Sequence, residues 1–514
     1  SASASGSNPA SLANWCVKTK DYEQIPHPET RDPYSGGNLI TRSGVTATFP
    51  NARKHMPSQT PTVVALASPG DKAYEQAVAC YNLDAQLDPA HTVIATCATD
   101  VINAILTARN LGMGVRAQAT GHAAMSASPM HGDLLISTQL DEPVIIDPVA
   151  STARISAGTC WSSVVDAAAA HGLIALHGSS GTIGAIGYLL RGGLSFYGRL
   201  HGIAANSLRS ITIVIATGET IEVSATSVPE LFWALRGGGG GYGVVVGVEI
   251  QLFPMAHVIT GQIAWKASDA AVIATLWKKW TETAPPEATT SLRMLNLPPV
   301  PGMLPEVLTS GQILMIDGAI SVSTPGDLDA AHQILDDFLG PLRGAIEPIF
   351  DSWAVAPPAA LPHTHLDPPF PVPSISDHLV LDYLDDLALG RILDAAGAQS
   401  SLLMFELRQL GGRLAEPSIT GGAFDRVRGS FSYFGVGLLA TPESRENIVA
   451  DLAALRGVMS PWSTGFTLPT FAENAAAPQR TLDDAAFARA AVLRANIDPT
   501  GIFAHDISPV RADS

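Results

Sequence analysis

The chain is poor in cysteine, with four in 514 residues: Cys16, Cys80, Cys97 and Cys160. None forms a CxxC pair, so neither a thiolate zinc site nor a dense disulfide framework is expected. Charge is also scarce, at 15% of residues against 46% hydrophobic. That balance leaves ample material for sizeable cores. Lys and Arg number 30 against 47 Asp and Glu, a formal net charge of −17. A surface of that sign is repelled by phosphate backbones and anionic lipid, so no nucleic acid and no membrane partner is expected. No apolar run reaches the roughly 18 residues of a membrane span. The stretch SASASGSNPASLANWC lacks the basic start and apolar core of a signal peptide, and a cytoplasmic location is the expectation.

The length is too great for one ordinary core, so two or three domains are expected. Residues 1–60 are rich in Ser, Asn, Pro and Gly and read as an N-terminal extension. Between 61 and 256 strands and helices interleave without a regular βαβ repeat. ATDVINAILTARNLG is a helix whose Val101, Ile102, Ile105 and Ala108 share a face, with Thr99 or Asp100 at its start and Gly112 at its end. GVRAQAT, LLIST and VIIDP read as strands, TCWSSVVDAAAAHG as a helix in which Cys160 packs, and SITIVIATGETIEVSA as a β-hairpin. A second block, 257–455, offers the strands GQIAWKA, GQILMIDGAIS, SLLMFELRQLGG and GSFSYFGVGLLAT with three amphipathic helices. An antiparallel sheet with helices on one face uses these parts economically. The proline-rich VAPPAALPHTHLDPPFPVP reads as a connector. Residues 456–514 end in a helix and a tight turn. The fold class expected is α+β.

Glycine is plentiful, at 46 residues, and two segments concentrate it. One runs from His177 through Gly178-Ser179-Ser180-Gly181-Thr182-Ile183-Gly184 to Gly192-Gly193 and Tyr197; the other is RGGGGGYG, 236–243. Such backbone can approach a ligand closely and aim successive N–H groups into one concavity, which binds a pyrophosphate without cationic side chains. Gly238-x-Gly240-x-x-Gly243 matches a dinucleotide fingerprint in form only. It follows a helix and opens a strand, the reverse of a Rossmann turn, so an NAD site of that type is rejected.

Four stretches, in order, resemble the vanillyl-alcohol oxidase / p-cresol methylhydroxylase flavoprotein family, and within it the berberine-bridge-enzyme-like branch. They are VRAQATGH (115–122), GSSGTIGAIGYLLRGGLSFYGRLHG (178–202), ELFWALRGGGGGYGVVVGVEIQL (230–252) and NIDPTGIF (496–503). ELRQLGGRL (406–414) is a looser anchor in the second block. The resemblance implies a two-domain flavoprotein: an FAD-binding domain at 61–256, a substrate domain at 257–455, and a C-terminal segment, 456–514, returning to the first. It implies FAD contacts from Gln118, Ala119, Thr120, Gly121, His122, Ala123 and Ala124. It adds Gly178, Ser179, Ser180, Thr182, Gly184, Ala185, Tyr188, Gly192 and Gly193, then Val246 and Asp506. His122 falls where the family attaches the flavin 8α-methyl group, and a neutral imidazole is a competent nucleophile for that bond. Some members carry a second link through cysteine; Ser180 stands at that position here, so a single link is expected. Ile183 falls near a position that screens oxygen access, and Asp506 stands where the family has asparagine.

A flavin oxidation needs a hydride donor over the ring and a group to take the substrate proton. Glu406 and Arg408 lie two apart on one strand and face the same way, as base and anchor or as a solvent-face salt bridge. Tyr433 is a further acid/base position, with core packing as its alternative. The expected function is an FAD-dependent oxidase of a small organic metabolite (alcohol, amine or activated C–H) reoxidised by O2. A dehydrogenase with another acceptor, or a flavin-binding protein without turnover, is the alternative.

Overall fold

A computed structural model describes residues 64–126, 130–299, 304–397, 399–441, 443–473 and 479–509. The expected extension at 1–60 lies outside them.

Two larger sheets and a two-stranded pair, Leu173–Ile174 with Phe253–Pro254, build the first domain. Strands His91–Ala95, Leu134–Thr138 and Val115–Gln118 pair in parallel, with Leu134–Thr138 central. The helix Ala98–Leu111 buries Val101, Ile105 and Ala108 as its periodicity predicts, with Ala104 buried in addition and Ile102 half-buried. Its start is fixed by the Asp100 carboxylate, which accepts the Thr96 and Cys97 amides at 2.9 and 3.2 Å. It ends at Gly112, at φ +69°. The second sheet is antiparallel and runs Ile145–Asp147, Thr152–Ser156, Val244–Gln251, Leu208–Val214, Thr220–Ser224. The predicted hairpin forms its last two strands. Ile502 and Phe503, far along the chain, join this core, and the Ile502 carbonyl accepts the Val115 amide at 2.6 Å.

The second domain is one eight-stranded antiparallel sheet. From one edge it runs Phe350–Asp351, His257–Lys266, Ile313–Val322, Ala288–Leu295, Met404–Gln409, Phe431–Leu438, Ser374–Leu381, and Ala354–Ala356 pairs beside the first edge. Helices cover one face only. Trp277, Phe338, Ile392 and Leu452, one from each of four helices, share a core with Phe405, Leu407 and Tyr433 of the sheet. Sequence reasoning passed over the two short edge strands, Phe350–Asp351 and Ala354–Ala356, two long ones, Ala288–Leu295 and Ser374–Leu381, and the helix Asp386–Ala395. TTSLRML and SISDHLVL read as mixed polar segments because their second faces carry Ser291, Arg293, Ser376 and His378, all buried. The strands are two-sided, one face apolar against the helices and one polar and equally enclosed.

Among the described residues no helix is long and apolar enough to cross a membrane. Trp277 is fully buried, and its Nε1 donates to Thr290 Oγ1 at 2.9 Å. Trp277→Ala is expected to cost about 3–5 kcal/mol of unfolding free energy, through a cavity and the loss of the indole hydrogen bond to Thr290. Urea unfolding measures it; a loss under about 1 kcal/mol would show that the helices do not pack as described.

Candidate functional site

A cavity runs along the first domain's glycine-rich backbone and reaches the polar face of the large sheet. Its walls are the loop 117–124, the turn Ala157-Gly158-Thr159, the segment from Gly178 to Leu194, the run Gly239–Val245, and Asp506 with Ile507. Arg408, Thr470, Phe471 and Glu473 close it from the second half of the chain. Backbone forms much of this lining, and two glycines show why. Gly121 has φ +70°, and a Cβ there would lie 2.2 Å from Cys80 Cβ. Gly158 has φ +102°, and a Cβ would lie 2.6 Å from the Thr138 carbonyl oxygen. Neither position accepts a side chain without moving the wall.

His122 follows Gly121 on this wall. Its ring stacks on Tyr81, centroids 3.9 Å apart and planes at 15°. Nδ1 shares a 2.7 Å hydrogen bond with Thr120 Oγ1, which also accepts the Gly184 amide at 3.3 Å. Nε2 lies 3.5 Å from Thr182 Oγ1, and that hydroxyl bonds Ser180 Oγ at 2.8 Å. Burial pushes the imidazole down to about 3, so it is neutral at pH 7.

Most residues expected to hold the cofactor line the cavity: Gln118 to Ala124, Gly178, Ser179, Gly184, Ala185, Tyr188 and Asp506. Ser180 and Thr182 stand one layer behind, linked to His122 as above. Gly192, Gly193 and Val246 are not among the lining residues. Gly193 is at φ +74° because the Tyr188 ring lies 2.3 Å from where its Cβ would sit, so it shapes the seat of Tyr188. Sequence reasoning missed Gly158 and the 470–473 segment, which carry no motif, and did not single out Arg191 and Val245 within the glycine-rich stretches. Cys80 is also nearer to His122 than the sequence suggested, packed against Gly121, but its thiol turns toward the Asn82 and Ala85 carbonyls. Asp506 accepts the Gly241 and Ile507 amides at 2.9 and 2.8 Å. Burial raises its pKa, partly offset by those amides and by Arg116 and Arg494.

Glu406 and Arg408 form a salt bridge at 2.7 Å, on a buried face and not the solvent face weighed as an alternative. The pair is part of a larger network. Ser291 Oγ donates to Glu406 at 2.7 Å. His365, from the proline-rich connector, sits between Asp317 at 2.8 Å and Glu406 at 3.4 Å, and Arg293 pairs with Asp317 at 2.6 Å. Burial and Arg293 oppose a charge on His365, but Asp317 and Glu406 outweigh them and lift it to about 8. Burial opposes the Glu406 charge too, yet Arg408 and His365 hold that carboxyl well below its usual range. Glu406 therefore stays ionised, and of the pair only Arg408 lines the cavity. Its guanidinium lies over the Phe196 ring at 4.5 Å.

Of the two readings of Tyr433, acid/base position and core packing, the structure selects core packing. The residue pairs opposite Leu407 and so points to the helix-covered face, away from Arg408. Its side chain is fully buried in that core, and it does not line the cavity.

The residues present fit a large, flat, polar ligand. Glycine-rich walls offer backbone amides, and Arg116 adds a cation. The Tyr188 hydroxyl, buried in the cavity wall, has no hydrogen-bond partner among the described residues. Known proteins point the same way. Residues 89–224 match the family model described as FAD binding domain. The chain therefore carries an FAD binding domain, and FAD is the cofactor that domain supports. This flavoprotein is 34% identical over 180 residues to (R)-6-hydroxynicotine oxidase of Paenarthrobacter nicotinovorans, an alignment covering 34% of this chain and 39% of that protein. The matched part thus spans about two fifths of that relative's length. In fold it is similar to wild-type BBE-like 1 of Physcomitrella patens, with a TM-score of 0.71 at 17% identity over 85% of this chain and 95% of that one. It is similar to 6-hydroxy-D-nicotine oxidase from Arthrobacter nicotinovorans, with a TM-score of 0.72 at 21% identity over 88% and 100%.

The flavoprotein's cavity wall can be tested at two points. Gly121→Ala displaces the His122 backbone and is expected to cut the flavin-to-protein absorbance ratio several-fold at unchanged helix content; an unaltered ratio would show that the approach to Cys80 is not needed. The buried neutral histidines set an acid limb. Burial lowers His177 to about 4 and His378 to about 3. The unfolded chain binds these protons first, so their contribution is full above pH 6.5 and is lost as pH falls toward 4, about 1.4 kcal/mol per pH unit for each. Urea midpoints at pH 7.5 and 4.5 should fall accordingly, and His378→Gln should flatten the slope; equal midpoints contradict it.

Proposed function

We propose that this flavoprotein is an oxidase of a small organic molecule (an alcohol, amine or activated C–H compound), with its FAD held covalently by one bond to His122 and with O2 as electron acceptor. The observation that carries this reading is the position of a neutral imidazole on the cavity wall, 2.7 Å from Thr120 and stacked on Tyr81, across a continuous cavity from Arg408. Bound FAD supplies a two-electron acceptor; the chain supplies the rest.

Residues 61–256 and 456–514 serve as the cofactor domain, and 257–455 cover the ring and form the substrate end. His122 would hold the flavin by its methyl group, because an imidazole lowered to about 3 carries no competing proton at pH 7 and would supply the nucleophilic nitrogen. Ser180 takes the place of a second attachment residue and instead bonds Thr182 beneath the His122 ring. Arg408, fixed by Glu406 and Ser291, presents a guanidinium edge to an electron-rich substrate oxygen or nitrogen. Its five-donor fork is pre-ordered by those bonds, so little side-chain entropy is lost when substrate binds. The relatives named as oxidases support O2 as acceptor, and Ile183, which lines the cavity, would screen its access, a branched side chain there being compatible with oxidase or dehydrogenase.

Acid precipitation tests the tether. Yellow colour should stay with the denatured wild-type pellet and wash out of His122→Ala; colour leaving the wild type overturns covalent attachment. Photoreduced holoprotein mixed with aerated buffer should regain its absorbance within seconds; recovery over many minutes would assign a dehydrogenase.

A further inference from the structure

Only two carboxylates line the cavity among the described residues, Asp506 and Glu473. Asp506 is committed to the Gly241 and Ile507 amides and lies beside Arg116. Glu473 is not committed in this way. Ser376 Oγ donates to its Oε2 at 2.9 Å, and its Oε1 has no hydrogen-bond partner among the described residues. No sequence motif marks this residue, and the chemistry described so far gives it no task.

Its surroundings place it near the stacked Tyr81 and His122 rings. Tyr81, which stacks on His122 and donates its hydroxyl to the Pro368 carbonyl, feels the Glu473 charge. Arg191 anchors the neighbouring backbone, donating to the Ala472 carbonyl at 2.7 Å and to Ser126 Oγ at 3.0 Å, but forms no ion pair with Glu473. Asp367, the other nearby carboxylate, accepts the Ser179 hydroxyl at 2.6 Å and is not a lining residue. Phe471, also in the wall, stacks on His378 at 5.0 Å and holds the segment against the sheet. One carboxylate oxygen is thus fixed by the sheet, and the other is left to a ligand.

We propose that Glu473 is the catalytic proton acceptor, taking the O–H or N–H proton of a substrate whose adjacent carbon is oxidised. The proposal rests on the reading that bound flavin oxidises a small organic molecule. The O–H or N–H bond breaks with its proton going to Oε1 and its electron pair forming the new C=O or C=N bond. The C–H bond breaks with both electrons and the hydrogen passing to the oxidised flavin, which is the oxidant. Glu406 cannot replace it, being locked to Arg408 and off the cavity wall, and Tyr433 faces the opposite core. Burial lifts the Glu473 carboxyl above its usual range, Ser376 and Arg191 pull it down, and Asp367 adds to the rise. A raised carboxylate is a stronger base, better matched to a neutral working pH.

The test uses holoprotein mixed anaerobically with a panel of benzylic and secondary alcohols and secondary amines, following flavin bleaching against pH. Glu473→Gln is expected to slow bleaching by about 10²–10⁴-fold at saturating compound and to abolish its acid limb. Compound binding, read from the perturbed flavin spectrum, should persist, and Glu473→Asp should restore part of the rate. Bleaching in Glu473→Gln within about threefold of wild type, with the acid limb intact, overturns the proposal. A second arm needs no turnover: the visible spectrum of oxidised holoprotein titrated with pH. A step that is present in wild type and lost in Glu473→Gln upholds Glu473 at the ring; no step in wild type, or one retained in the variant, overturns it. If no panel member bleaches wild type, the oxidase reading fails on its own account, and the titration still decides the residue.

Discussion

Along 117–124, 157–159 and 239–245 the main chain itself must form the cavity wall, and this constraint orders much of the first domain. A protein with net charge −17 has few cations to spend on a pyrophosphate, so backbone amides must do most of that work. Close approach demands glycine, and each glycine transmits the demand to its neighbours. Gly121 can sit against Cys80 only without a side chain, and this contact sets the direction from which His122 enters the cavity. Thr120, between them in function, fixes both the imidazole and the Gly184 amide of the second loop. A single hydroxyl thereby ties the two glycine-rich walls together.

The opposite side of the site obeys a different rule. The large sheet is buried on both faces, yet its cavity-side face carries Arg293, Asp317, Glu406 and Arg408, with His365 inserted from a connector. Isolated, each charge would be strongly disfavoured there. Together two cations offset two anions, and His365 adds a titratable fifth member between Asp317 and Glu406. Removing one partner leaves an uncompensated buried charge, which destabilises far more than an exposed pair would. The network's consequence for the site is rigidity: it fixes Arg408 at the cavity edge over Phe196. Glu473 contrasts with it, since it lines the cavity on a single serine hydrogen bond and keeps an open oxygen.

Much of this was legible in the sequence. Helices with clean apolar faces, the Thr217-Gly218-Glu219 hairpin and the glycine-rich walls all carry local signals. The order of the four motifs pointed to the flavoprotein architecture and to His122. Strand parity placed Glu406 and Arg408 on one face correctly. Parity failed to help with Tyr433, because the register against its neighbour is set by tertiary pairing with Leu407, which no local pattern reveals. Ala288–Leu295 and Ser374–Leu381 were missed since a strand with a buried polar face shows neither an apolar run nor polar-out alternation with solvent logic. His365 and Glu473 were invisible for the same reason: both lie in irregular segments and gain meaning only from partners distant in sequence.

The central claim is that the cavity between the glycine walls and the polar sheet face holds FAD. Its most direct measurement is the visible spectrum of the purified, exhaustively dialysed protein. Oxidised-flavin bands at about one flavin per chain, and their loss or marked reduction when Gly158 is replaced by a bulky residue, are the predicted result. A colourless protein that takes up no FAD on reconstitution would contradict the account.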